Sequence, residues 1–71
     1  MVKYLVVFEK TDTGFSAYVP DLPGIAASGN DKKMVEQNIY EAITFHLETL
    51  IEDNIPLPEA LSESEVMVFN V

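Results

Sequence analysis

The sequence predicts an α+β domain, with one long helix lying on one face of an antiparallel sheet in the order β-β-β-α-β. Short β-branched and aromatic runs alternate apolar and polar residues, and between the third and fourth of them Lys32 to Asp53 repeats its apolar residues at helical spacing. The turn-forming stretches "TDTG", "PDLPG" and "GND" mark where the elements end.

Val2 to Glu9 ("VKYLVVFE") reads as the first strand, with Tyr4, Val6 and Phe8 on one face and Leu5 and Val7 on the other. Thr11 to Gly14 supplies hairpin turn residues, and Phe15 to Val19 alternates again. Pro20 then removes a ladder donor. Pro23-Gly24 suits a type II turn with the glycine at the position that needs positive φ. Pro20, Asp21, Pro23 and Gly24 are therefore expected to form a rigid structural corner, with Asp21 bonding its local backbone in an Asx turn. Leu22 is the side chain such a stiff loop would present to a partner. Ile25 to Ser28 makes a short third strand.

Asp31 is the expected helix N-cap, and Val35, Ile39, Ala42, Ile43, His46 and Leu50 share the apolar face. Gln37, Glu41, Thr44, Glu48 and Glu52 form the opposite, solvated stripe. Asn54 can take the left-handed stop conformation, and Pro56 and Pro58 prevent continuation. After a polar link, Val66 to Val71 ("VMVFNV") reads as a closing strand that is apolar on both faces.

One helix covers one sheet face, so doubly apolar first and last strands leave an uncovered patch. A second copy of the chain is the simplest cover, and Val66, Val68 and Phe69 are the expected interface of a dimer or larger assembly. Seventy-one residues read as one domain, 1–71, close to the lower limit for independent folding. The chain has no cysteine, which removes disulfides and thiolate zinc sites as stabilisers. No apolar run approaches the ~20 residues of a membrane span, and no signal peptide is visible, so a cytoplasmic protein without membrane contact is expected.

Net charge is −8, and its distribution is uneven. All four lysines lie within the first 33 residues, eight acids and no base follow from Met34 onward, and arginine is absent. Phosphate neutralisation dominates nucleic-acid binding, so direct binding of nucleic acid is not expected and a partner should be basic. The acids Glu41, Glu48 and Glu52 on the helix, with Glu63 and Glu65 before the last strand, are the candidate partner-binding ridge. Such charges speed encounter more than they deepen affinity.

Candidate chemistry is sparse, and no cofactor is implied. Asp12-Thr13-Gly14 matches the aspartic-protease triplet, but a hairpin turn needs the same residues for local reasons. His46 is the single histidine, and the helix offers it no His or Asp at i±3 or i±4. It reads as a hydrogen-bonded core or interface histidine, with a pH-sensitive interface as the minority view.

"FSAYVPDLPGIAASGND", a helix carrying "NIYEAITFHLETLIEDN" and the exit "IPLPEA" together resemble the HicB-like antitoxins over about residues 4 to 60. The resemblance rests on Pro20 to Gly24, Gly29-Asn30, Glu41-Ala42-Ile43 and the exit Glu52-Asp53-Asn54 with Pro56 and Pro58. It implies a partial ribonuclease-H-like sheet assembled as dimers or larger. It also implies an antitoxin-like module, not an enzyme, that neutralises a small basic HicA-like ribonuclease toxin by protein–protein contact. Full-length family members add a C-terminal DNA-binding domain, which is not expected in a chain ending after its fourth strand. Lys32 and Lys33 also depart from the acids more usual at that helix start, and they oppose the helix dipole. Two alternatives stand beside this reading: an orphan structural or ligand-binding homo-oligomer, and a weak metal-dependent nuclease using Glu9, Asp12 and Asp21.

Overall fold

The computed structural model describes all 71 residues. Three strands, β1 (Val7–Lys10), β2 (Phe15–Tyr18) and β3 (Ala26–Gly29), form an antiparallel sheet in the order β1-β2-β3, followed by helix α1 (Lys32–Glu52). The predicted α+β class, the hairpin order and the single long helix are all present. The predicted fourth strand is not. Val66 to Val71 pairs with nothing, so the observed order is β-β-β-α with a C-terminal arm. Ladder pairing also begins at Val7 rather than Val2.

Local chemistry sets each boundary. The hairpin closes through Thr11, whose amide donates to Gly14 O at 2.9 Å and whose Oγ1 accepts from the Gly14 amide at 3.1 Å. The corner is two successive β-turns, Leu22 N–H to Val19 O at 3.0 Å and Ile25 N–H to Leu22 O at 3.2 Å. Each turn has a proline at its second position, and Gly24 at φ 90° makes the second turn type II. Asp31 caps the helix by accepting from the Lys33 amide at 3.0 Å. The helix stops in a Schellman motif: Asn54 stands at φ 58°, Ile55 N–H reaches Leu50 O and Asn54 N–H reaches Ile51 O. Lys32, unfavourable to the helix dipole, places its Nζ 5.2 Å from the Phe8 ring centroid, a cation–π contact that offsets the cost.

Registers Phe8↔Ala17 and Ala17↔Ala27 put these residues on the helix side of the sheet, where Ala17, Val19, Leu22, Val35 and Ile39 form the buried core. The opposite face carries the rows Val7–Tyr18–Ala26 and Glu9–Ser16–Ser28. This corrects the expectation of a broadly apolar uncovered sheet face, because half of that surface is polar. Only five residues are buried, whereas fourteen large hydrophobics are exposed, so one copy leaves much of its apolar surface in water. The helix packs chiefly on β2 and β3 and covers the inner side of β1 only in part, where Phe8 meets the core and Lys32.

Candidate functional site

The corner after β2 holds the tail of the chain. Asp21 Oδ1 accepts from Ser62 Oγ at 2.9 Å, while Oδ2 accepts from the Ser62 and Leu61 amides at 3.0 and 3.2 Å. Tyr4 adds a fourth anchor by donating its hydroxyl to Pro58 O at 2.6 Å. This corrects the Asx-turn assignment: the carboxylate bonds a segment about forty residues away, and the turns close by backbone bonds alone. Leu22 is also corrected. It is 1% exposed and forms part of the core, so the corner presents no leucine to a partner.

The outward face of α1 combines charge with apolar surface. Glu41, Glu48 and Glu52 are exposed and fall within a band of about 40° at 3.6 residues per turn. Gln37 Nε2 extends the band by donating to Glu41 Oε2 at 3.3 Å. Thr44, predicted in the same stripe, is half-buried and bonds back to Tyr40 O at 2.9 Å. Flanking the acids are Tyr40, Phe45 and Ile51, exposed by 70%, 73% and 61%. Phe45 is the residue that sequence reasoning missed. Its signal was present, since it lies outside the apolar stripe of Val35, Ile39 and Ile43 on a helix that otherwise sorts its residues by polarity.

Glu63 and Glu65 are exposed on the link to the arm, apart from the helix ridge in sequence and beyond the Asp21 anchor. Val66, Val68 and Phe69 are exposed by 94%, 94% and 76% and project as part of the arm. His46 is half-buried on the helix. Glu9 and Asp12 are exposed, and nowhere do three carboxylates or imidazoles converge as a metal site would need. Asp21 is engaged by the tail, so the nuclease alternative has no assembled ligand set. No helix is long and apolar enough to cross a membrane.

The fold is a small α+β domain, a three-stranded sheet roofed by a single helix with an acidic and aromatic outer face. The model of the HicB-like antitoxins of bacterial toxin–antitoxin systems matches residues 4–69, and the chain belongs to that family. The chain is 37% identical over 57 residues to an uncharacterised 14.9 kDa protein from the rep-hol intergenic region of Haemophilus phage HP1. That match covers 80% of this chain but 43% of the phage protein. A UPF0150 protein of Synechocystis is 39% identical over 57 residues, covering 79% of this chain and 72% of its own length. A UPF0150 protein of Thermoplasma acidophilum is 36% identical over 63 residues, covering 87% and 91%. No solved structure matches, so the ribonuclease-H-like comparison rests on the resemblance alone.

Proposed function

We propose that the chain is a toxin-binding module that sequesters a small basic, messenger-RNA-cleaving toxin of the HicA-like kind by protein–protein contact. It acts in the cytoplasm, as a homo-oligomer, without a catalytic step of its own. Family membership supplies the class, and the outer face of α1 is the observation that carries the reading to a surface. Glu48, Glu52 and Asp53 gather at the helix C-terminus, where the dipole is already negative and no base relieves them. Charges placed against helix stability are a field aimed outward, and they steer a basic partner into encounter. Exposed Phe45 beside Glu48 and Glu52 has the character of an interface anchor, a large aromatic able to fill a partner's pocket. Arginine is absent and no lysine follows Lys33, so the surface suits a basic protein and not a phosphate backbone.

The test is co-expression with each small basic protein encoded beside the gene, followed by a messenger-RNA cleavage assay. A complex that survives purification, with cleavage abolished at equimolar chain, is the expected result. Cleavage that continues in the presence of excess chain, with no complex formed, would overturn the reading and leave the orphan oligomer in its place.

A further inference from the structure

We infer that the C-terminal arm, Val66 to Val71, is an exchanged strand: it pairs along β1 of a second copy and fills the groove between that copy's β1 and α1. The inference deepens the self-association part of the proposed function and is independent of the toxin.

Two unmet needs in one chain fit each other. The arm is a β-branched and aromatic segment with both faces apolar, yet it is exposed along its length and pairs with no strand. On the body, two adjoining hollows of about 310 and 260 Å³ share Val6, Tyr40 and Ile43. Tyr4, Val6 and Phe8 make one wall of this groove, and Tyr40, Ile43 and Leu47 make the other. It lies on the inner side of β1, the strand the helix covers least, and β1 is an edge strand with an unpaired row of backbone groups. The residues from Val2 to Phe8 extend for about 23 Å and the six-residue arm for about 20 Å, at roughly 3.3 Å per residue. The other free edge, β3, borders a more open hollow of about 390 Å³ lined by Ser16, Ala17, Tyr18, Ala26, Ala27 and Ser28, whose mostly small side chains give large apolar residues less to pack against.

The occupant is a second copy because the anchors direct the arm away from its own groove. The tail meets Tyr4, just before β1, at Pro58 and reaches Asp21, beyond the end of β2, at Ser62. Between those points it crosses the end of the sheet from β1 toward β2, away from the free edge of β1. Ser62 thus delivers the chain to the β2 side of the sheet. Exchange of two arms closes a twofold dimer and covers both grooves, which is the low-cost route to assembly for identical chains.

The test combines sedimentation of the full chain at micromolar concentration with isotope-filtered NOE spectra of a mixture of labelled and unlabelled copies. A dimer with intermolecular contacts from Met67, Phe69 or Val71 to Val6, Tyr40 or Ile43 is expected. Phe69→Asp should weaken dimerisation at least 100-fold while leaving the helical circular dichroism unchanged, since Phe69 lies outside the monomer core. A dimer whose filtered contacts omit the arm would overturn the exchange and spare self-association. A monomer would overturn both.

Discussion

Ser62 donates its hydroxyl and its amide to the two oxygens of Asp21, at 2.9 and 3.0 Å, across 41 positions of sequence. With the Leu61 amide, these bonds turn a surface corner into the point from which the arm departs. The acid of "PDLPG" therefore serves long-range order, while its prolines and glycine shape the turns.

Asp21→Ala should release the tail without disturbing the corner, whose turns close through Val19 O and Leu22 O. Bonds to a carboxylate are the stronger kind, but this site is only partly buried, so the expected loss is about 1–2 kcal/mol. Hydrogen exchange checks it: the Leu61 and Ser62 amides should lose protection, while those of β2 and β3 keep it. Unchanged protection at both amides would show that the carboxylate does not hold the tail.

Gly14 and Gly24 should respond to alanine for different reasons and by different amounts. At Gly24 a Cβ would meet nothing within 4 Å, so only the left-handed backbone resists, at a cost of about 1–2 kcal/mol. At Gly14 a Cβ would stand 2.1 Å from Gly29 O and 2.6 Å from Asn30 Cα, both of them backbone. Gly14→Ala must therefore separate the hairpin from the β3–α1 junction, and it should cost several times as much, on the order of 3 kcal/mol or more. Urea midpoints of the two variants measure the contrast, and equal shifts would contradict the close approach.

Where the determinants were local, the sequence was readable. Asp31 as cap, Asn54 as left-handed stop and Pro23-Gly24 as a type II turn each follow from residue chemistry within a few positions. Long-range determinants were not readable. Nothing near Asp21 announces Ser62, and nothing near Gly14 announces the Gly29 carbonyl. Alternation in Val66 to Val71 correctly reports a segment that wants both faces covered, but periodicity carries no address. The acids of the ridge were visible for the same local reason as the caps. Phe45 escapes the same logic, because helical spacing locates the core and does not mark an aromatic that lies outside it.

Leu22→Ala tests how narrow the core is. Leu22 is one of five buried residues, and removing its side chain should cost about 2–5 kcal/mol. Small domains hold ~5–15 kcal/mol in total, so much of the stability would go. Thermal melts should fall sharply for Leu22→Ala and barely for Phe45→Ala, whose ring is exposed. Comparable losses would mean that Phe45 packs within the fold.

The final prediction separates steering from holding on the face of α1. Reversing Glu41, Glu48 and Glu52 to lysine should slow association with a cognate basic ribonuclease several-fold at low salt. The difference should shrink near ~0.5 M, where screening shortens the reach of surface charge to a few ångströms. Glu63 and Glu65, on the link to the arm, should contribute to the same steering. Phe45→Ala should leave the association rate nearly unchanged and speed dissociation about tenfold or more, as loss of an interface anchor does. Stopped-flow kinetics across a salt series reads both quantities from one set of traces. An association rate untouched by charge reversal would reduce the acids to a solvated stripe. A dissociation rate untouched by Phe45→Ala would move the apolar contact to Ile51, another exposed side chain beside the ridge.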